Sequence, residues 1–233
     1  MARQPELFTA VSTALSANLW FPDPRTAHSG GEFDGLVAIG GDLSVPRLLL
    51  AYRSGIFPWT DNPVTWWSPD PRAVFDLDRF HVPGSLARVI RKPAFEITID
   101  RAFREVIEGC AAPAPGRKST WISPRFIEAY VRLHKQGHAH SVECWQGERL
   151  VGGIYGVAIA GLFAGESMFH RVSNASKVAL HHLIQHLRQR GFVLFDIQMA
   201  TPVTRQLGAI VIPREEYLRR LTKAIGAECV FQP

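Results

Sequence analysis

The chain has 233 residues, a formal net charge of +5 and a sequence pI of about 9.4. Its 46% hydrophobic and 20% charged residues are typical of a globular protein and exclude a disordered or low-complexity chain. Three cysteines lie far apart and form no CxxC pair, which indicates reduced thiols. The mildly basic charge fits an anionic partner such as RNA, although many basic proteins bind no anion.

The chain shows no targeting or membrane signal. Its amino terminus has no basic region leading into an apolar run, so we do not expect a signal peptide. The longest uncharged stretch, residues 150–165, contains several glycines and is shorter than the ~20 apolar residues of a spanning helix. We therefore expect a cytoplasmic protein that does not enter a membrane.

Glycine and proline dominate the first sixty or so residues. One helix is expected there, in VPRLLLAYRSG, with Ser44 as its N-cap, Pro46 near its start and Gly55 after its end. We predict a small, loop-rich amino-terminal domain over residues 1–70, followed by a larger domain over residues 71–233.

The second domain begins with alternating strand and helix patterns. Strands are predicted in AVFDLD and FEITID, and helices in GSLARVIRK, RAFREVIEGC and SPRFIEAYVRLHKQG. Three strands then follow, in HAHSVECWQ, ERLVGGIYGVAI and LFAGESMF, and should form an antiparallel meander. A helix from Ala175 to Arg190, a last strand in FVLFDIQ and a last helix in PREEYLRRLTKAI complete the chain.

This order predicts an α+β fold with an acetyltransferase-like mixed sheet. In that architecture the turn before the helix that follows the meander binds a pyrophosphate through backbone N–H groups. Here that turn reads RVSNASK and lacks the glycine-spaced loop that such a cofactor needs. The pattern thus suggests acyl transfer without coenzyme A, and we expect no cofactor.

Two carboxylates are candidates for chemistry. Asp196 and Gln198 lie two apart at the end of a predicted strand and share a face, where Asp196 is either a general base or ammonium anchor, or a strand-end residue that caps a loop. Glu166, on a glycine-rich strand, leaves the same two alternatives open. Two such carboxylates in one core favour a functional site.

Tryptophans cluster in loops. Trp59, Trp121 and Tyr130 lie near positive side chains in the sequence, and aromatic side chains beside cations can stack on nucleobases. The alternative is that these aromatic residues, Trp66 and Trp67 included, attach the amino-terminal domain to the core, and we expect this of at least some of the tryptophans. The neighbouring cations are Arg72, Arg117 and Lys118.

A metal site is not expected. His138 and His140 share a strand face, but no third ligand follows at a suitable spacing. The sequence also lacks GxGxxG, P-loop and GxSxG motifs.

Several long strings resemble the leucyl/phenylalanyl-tRNA–protein transferases. They are GLVAIGGDLSVPRLLLAYRSGIFPW, WWSPDPRAVF, TWIS, LVGGIYGVAIAGLFAGESMFHRVSNASKVAL and FDIQ, and the resemblance runs from about Phe21 to Tyr217. It implies transfer of Leu or Phe, and less often Met, from aminoacyl-tRNA to proteins with an N-terminal Arg or Lys. The new N-terminal residue would mark those proteins for degradation.

The resemblance also implies roles for single residues. Trp59, Trp121 and Tyr130 would hold the 3′-terminal adenosine of the tRNA. Our own hypothesis is that Asp196 and Gln198 orient the acceptor amine and relay its proton, with Glu166 near the amino group of the donor. An apolar pocket for the aminoacyl side chain would be formed by Ile154, Phe163, Met168, Leu180 and Phe195.

Basic residues on one predicted helix are candidates for the tRNA backbone. Arg88, Arg91 and Lys92 either contact phosphates or form an ordinary solvated face. His170 and Val203 replace residues that relatives usually carry, Ser and His respectively, and Gln206 replaces a Ser.

Two other functions stay open. The first is an aminoacyl-tRNA-dependent transferase that modifies a peptide or a small amine. The second is a tRNA-binding protein without activity, which the presence of Glu166, Asp196 and Gln198 disfavours. We expect a monomer.

Overall fold

The computed structural model describes residues 13–92, 94–114 and 120–232. The helices in these residues are α1 (Val45–Arg53), α2 (Gly84–Arg91), α3 (Phe103–Ala111), α4 (Pro124–Lys135), α5 (Ala175–Gln189), α6 (Pro202–Gln206) and α7 (Arg214–Ile225). The strands are β1 (Ala14–Leu15), β2 (Leu36–Gly40), β3 (Phe57–Asp61), β4 (Val64–Trp67), β5 (Arg72–Phe75), β6 (Glu96–Ile99), β7 (Ala139–Gln146), β8 (Arg149–Ile159), β9 (Leu162–His170), β10 (Leu194–Gln198) and β11 (Ala209–Ile212).

A seven-stranded mixed sheet forms the centre of the molecule. Its strand order is β11-β5-β10-β9-β8-β7-β6, and β9 and β10 form a parallel pair between antiparallel neighbours. The predicted α+β class with a mixed sheet is therefore confirmed. The predicted meander of β7, β8 and β9 is also observed.

The amino-terminal region contains more regular structure than its sequence predicts. A four-stranded sheet of order β1-β2-β4-β3 occupies residues that we expected to be mostly loop. These strands are short and broken by glycine, proline and β-bulges, so no long alternation marks them. The two sheets separate between Trp67 and Arg72, close to the predicted domain boundary, which remains a prediction.

The end of the chain also differs from expectation. The strand in FVLFDIQ is β10 and is not the last one, because β11 follows it and pairs with β5. Helix α6 between them was not predicted. It has only five residues and is stabilised by a capping box between Thr201 and Thr204, so it has too few turns to show a helical period.

Two hydrophobic clusters cover the two faces of the large sheet. One face packs against α3, α4 and the small amino-terminal sheet, and the other packs against α5. Helix α5 lies over β7, β8 and β9, and Gly152 makes room for it, since a Cβ there would lie 2.5 Å from that of Ala175. In the described part of the chain, no helix is long and apolar enough to span a membrane.

Candidate functional site

A pocket of about 330 Å³ opens beside the parallel strand pair. Its walls come from β3, β9, β10, α5 and α6, and its surface is mostly apolar. Eight of the eleven residues that the sequence suggested for catalysis, adenosine or the aminoacyl side chain line it: Trp59, Trp121, Ile154, Glu166, Met168, Leu180, Phe195 and Gln198. The structure thus brings together side chains that lie up to 139 positions apart in the chain (198 − 59).

Glu166 is the titratable group of this pocket. The residue is partly exposed to the pocket, but protein surrounds its carboxyl group. Burial raises its pKa to about 7, against hydrogen bonds from the hydroxyls of Tyr52 and Tyr130, which lower it. Near neutral pH this carboxyl group can therefore accept a proton or donate one.

Gln198 faces Glu166 across the pocket. It lies after a β-bulge with a positive φ of 54°, a conformation that costs a non-glycine residue energy. In one amide orientation its Nε2 is 3.4 Å from Glu166 Oε1. In the other, Nε2 donates to the carbonyls of Ile197 and Gly165 at 3.0 Å each. The second orientation turns the amide oxygen toward Glu166.

Asp196 lies behind the pocket. It is 1% exposed. Its two carboxylate oxygens accept hydrogen bonds from Nε and Nη2 of Arg72, at 2.9 and 2.7 Å. The Tyr217 hydroxyl and the Gln198 backbone N–H also donate to it, each at 2.9 Å. These four bonds occupy the carboxylate and neutralise its charge, so Asp196 does not reach a substrate amine directly but fixes the backbone of Gln198.

Tyr130 is also behind the pocket wall. It is fully buried, its hydroxyl donates to Glu166 Oε2 at 3.0 Å, and it shares a 2.5 Å hydrogen bond with the Tyr52 hydroxyl. The Tyr130 ring therefore offers no free face to an adenine in this structure. Its contact instead orients Glu166 and connects it to α1 of the amino-terminal region.

The tryptophans divide into two groups. Trp59 and Trp121 line the pocket, with their rings nearly parallel at a centroid distance of 6.3 Å. Trp66 is fully buried and donates to the Gly40 carbonyl at 2.9 Å, and Trp67 donates to Thr65 Oγ1 at 2.9 Å. Trp66 thus packs within the amino-terminal region, whereas the role of Trp59 and Trp121 in stacking on a nucleobase stays a prediction.

The remaining candidates lie outside the pocket. Phe163 is buried behind Phe195. Arg88, Arg91 and Lys92 are exposed on or just after α2. The pocket is lined by Thr201 and Thr204 around α6, whereas Val203, Gln206 and His170 are exposed elsewhere. Arg117 and Lys118 fall outside the described residues.

Sequence reasoning missed the partners that hold the site. Arg72 was noted only as a cation beside tryptophans, and Tyr52 and Tyr217 were not singled out. A physical argument could have pointed to Arg72. A carboxylate at the end of a buried strand requires a cation or several donors, and Arg72 begins a neighbouring strand.

Comparison with known proteins places this architecture in a family. The chain matches the family model of leucyl/phenylalanyl-tRNA protein transferase over residues 74–222, and the model of that family's amino-terminal domain over residues 41–70. The chain therefore belongs to the leucyl/phenylalanyl-tRNA protein transferase family.

Curated relatives carry the name leucyl/phenylalanyl-tRNA–protein transferase. The relative in Nitratidesulfovibrio vulgaris (strain DP4) is 53% identical over 88% of this chain and 87% of its own length. The relative in Anaeromyxobacter sp. (strain Fw109-5) is 51% identical over 91% of this chain and 89% of its own length. The relative in Shewanella sp. (strain W3-18-1) is 49% identical over 87% of this chain and 86% of its own length.

Similarities to solved structures are more distant. The L-PGS structure from Bacillus licheniformis is 11% identical with a TM-score of 0.42, over 82% of this chain and 73% of that one. A GCN5-related N-acetyltransferase from Sphaerobacter thermophilus is 18% identical with a TM-score of 0.37, over 77% of this chain and 58% of that one.

Proposed function

We propose that this protein transfers Leu or Phe, and less often Met, from aminoacyl-tRNA to proteins whose N-terminal residue is Arg or Lys. The product would be a peptide bond and a protein marked for degradation in the cytoplasm, and we expect the enzyme to act as a monomer. The observation that carries this proposal is a single pocket in which an apolar wall meets Glu166 and Gln198 beside two tryptophans.

The reaction consumes an activated ester. The acceptor nitrogen forms a bond with the ester carbonyl carbon, and the bond from that carbon to the ribose oxygen breaks. The nitrogen loses a proton and the leaving ribose oxygen gains one. Because an α-amino group has a pKa of roughly 8, most of it is protonated at pH 7, and it must also release one proton before attack.

Gln198 would orient the attacking amine. Its amide oxygen can accept a hydrogen bond from an N–H of the acceptor, and its backbone is held through Asp196 by Arg72, which is itself fully buried. Pre-organisation of this kind lowers the entropic cost of reaching the reactive geometry. Asp196 acts here as a positioning residue.

Glu166 would serve the donor amino group or take a proton released at the reacting nitrogen. A pKa of about 7 suits either task, because a general base is most effective when its pKa is near the working pH. The carboxyl group keeps its orientation through Tyr130.

The apolar wall would select the donor side chain. Ile154, Met168, Leu180 and Phe195 line it without a charged group among them, which favours Leu, Phe and Met. A β-branched side chain would place a methyl group against the pocket neck, and such a difference is worth about 1–3 kcal/mol.

The tRNA would be held by stacking and by charge. Trp59 and Trp121 present aromatic surface at the pocket and are the candidates for the terminal adenosine, whereas Tyr130 would act through Glu166. Arg88, Arg91 and Lys92 are candidates for phosphate contacts because they are exposed and clustered. Phosphate contacts give affinity with little sequence preference.

A second cavity would receive the cationic side chain of the acceptor. It measures about 240 Å³ and shares Phe57, Trp59 and Met199 with the first pocket. Glu32 and Asp34 line it together with Trp67. Since Asp196 is neutralised by Arg72 and Glu166 is only partly ionised near pH 7, these two exposed carboxylates are a better source of attraction for Arg or Lys.

Transfer of labelled Phe from Phe-tRNA to a peptide with N-terminal Arg tests the proposal. We expect wild-type protein to label the peptide, and Gln198→Ala to lower the single-turnover rate about 100-fold while tRNA binding is retained. Gln206→Ala, an exposed glutamine on α6, is the matched control. Wild-type protein that binds Phe-tRNA and labels no peptide would overturn the proposal.

A further inference from the structure

The segment that follows α7 carries one buried aromatic side chain, Phe231. After α7 the chain is mostly exposed, and Val230 is 63% exposed, whereas the next residue, Phe231, is only 6% exposed. The tail is also held at Cys229, whose Sγ donates to the Gly191 carbonyl at 3.1 Å. One ring thus enters the protein from an otherwise exposed segment, and burial of a phenylalanine is a strong anchor.

Phe231 enters a cavity formed by other rings. It stacks on His140 at a centroid distance of 4.1 Å and on Phe163 at 5.6 Å. His186 and Phe192 close the other sides at 4.5 and 6.1 Å. These four neighbours come from β7, β9, α5 and the segment before β10, so the tail joins the helix to the sheet on the face that packs against α5.

The ring contacts continue from Phe231 to the pocket wall. Phe163 contacts Phe195 edge-on at 5.5 Å, and the two residues are directly paired on adjacent parallel strands. Phe195 lines the pocket and also contacts Phe75, another lining residue, at 5.4 Å. Phe231 is therefore separated from the pocket by two side chains.

Two glycines determine how these rings lie. A Cβ on Gly156 would be 2.5 Å from the Phe163 ring, and one on Gly165 would be 2.8 Å from the Phe195 ring. Both rings therefore approach the backbone of a neighbouring strand closely and have little room to move further in that direction. Phe231 supports Phe163 from another side, and interiors packed this closely transmit the loss of one side chain to its neighbours.

We propose that Phe231 is a positioning residue that sets the size of the aminoacyl pocket through Phe163 and Phe195. The proposal rests on the proposed transfer activity. Without the Phe231 ring, Phe163 can move into the vacated space and Phe195 can follow it, which enlarges the pocket. An enlarged pocket fits every donor less well and fits Leu, the smaller side chain, worst.

Steady-state kinetics of Phe231→Ala test this proposal, with Phe231→Leu as a conservative variant and Val230→Ala as a matched control. We expect Phe231→Ala to raise the KM for Phe-tRNA about threefold to tenfold and to raise the KM for Leu-tRNA further. The KM for the Arg peptide and kcat should change less than about twofold, since the lost contacts act on donor binding. Phe231→Leu should restore most of the affinity.

The outcomes separate this proposal from the proposed function. A folded Phe231→Ala protein with wild-type donor KM values and a wild-type ratio of Leu to Phe transfer would overturn it. Equal changes in the KM values of donor and acceptor would also overturn it, because they indicate a merely structural role. If Phe231→Ala does not fold, the same comparison is decided by Phe231→Val, which also removes the ring but leaves more side-chain volume than alanine. Absence of transfer by wild-type protein would instead count against the proposed function.

Discussion

At the scale of single residues, the ion pair of Arg72 and Asp196 is the main support of the site. Both side chains are buried and joined by two hydrogen bonds. Desolvation offsets much of the attraction in such a pair, but removal of one partner leaves an uncompensated charge. The pair also holds the backbone of Gln198, whose N–H donates to Asp196 at 2.9 Å.

We predict that Asp196→Ala lowers the free energy of unfolding by about 3–5 kcal/mol, because Arg72 loses its counter-charge. Urea denaturation measures this change, and the exposed Asp78→Ala is the control, with an expected effect within about 0.5 kcal/mol. The double variant Arg72→Met/Asp196→Leu should recover part of the loss. A loss below about 1 kcal/mol in Asp196→Ala would show that the pair is not the support described.

Glu166 predicts a dependence of stability on pH. Its pKa is raised to about 7 in the folded protein from an ordinary value of 4.5, so between these values the folded state binds the proton more tightly than the unfolded state. Stability from this group is therefore fully present below pH 4.5 and is lost as pH rises toward 7.

Glu166→Gln removes this titration. The free energy of unfolding of the variant minus that of wild type should rise from pH 5 to pH 8, by up to about 3 kcal/mol. Denaturation of both proteins at both pH values measures this change. The amide can keep the hydrogen bond from Tyr130, so the fold should be retained. An equal stability difference between variant and wild type at both pH values would contradict the raised pKa.

At the scale of elements, β3 and the segment before α4 each present one tryptophan to the pocket. We predict that Trp59→Ala and Trp121→Ala each weaken binding of a phenylalanyl-adenosine amide by about 1–3 kcal/mol, the usual cost of losing a stacked base. Titration at fixed salt measures this affinity. Trp20→Ala, a half-exposed tryptophan outside the pocket, should have no effect, and unchanged affinity in both pocket variants would contradict the stacking assignment.

The elements differ in how well the sequence predicted them. The meander and α5 were predicted closely because they are long and strongly periodic. The strands of the small sheet, α6 and β11 were missed because each is short and is stabilised by contacts with distant segments. Distant contacts also explain which site residues were missed. Glu166 and Gln198 stand out from their own strand patterns, whereas the roles of Tyr52, Arg72 and Tyr217 depend on contacts with segments far away in the chain.

Site roles were harder to predict than site membership. Apolar strand residues around Glu166 indicated a pocket, and eight predicted residues do line one. Sequence spacing does not show which of two neighbouring carboxylates is neutralised, since that depends on Arg72, 124 positions from Asp196. Tyr130 and Phe163 likewise have suitable side chains but lie one layer behind the pocket surface.

At the scale of the whole molecule, the candidate pocket forms where the amino-terminal region meets the large sheet. Trp59 and Phe57 come from β3, whereas Glu166 and Gln198 come from β9 and β10, so neither region forms the pocket alone. The adjoining cavity with Glu32 and Asp34 also combines the two, since Met199 follows β10. Donor and acceptor would thus meet at this junction.

The cavity lined by Glu32 and Asp34, which we propose receives the acceptor side chain, yields a prediction at this scale. The double variant Glu32→Gln/Asp34→Asn should raise the KM for an Arg peptide about fivefold, as expected for the loss of two exposed charge contacts, with little change in donor KM. Glu148→Gln, an exposed glutamate in the turn between β7 and β8, is the matched control. A donor KM that rises while the acceptor KM stays constant would assign these carboxylates to the tRNA side.

The central claim is best tested by competition among acceptors in one reaction. Purified protein would be incubated with labelled Phe-tRNA and equal amounts of three peptides that differ only in their N-terminal residue, Arg, Lys or Ala, and the products separated by mass. We predict that label reaches the Arg and Lys peptides and leaves the Ala peptide unlabelled. Equal labelling of all three, or labelling only of an added small amine, would contradict the account and favour a transferase with another acceptor.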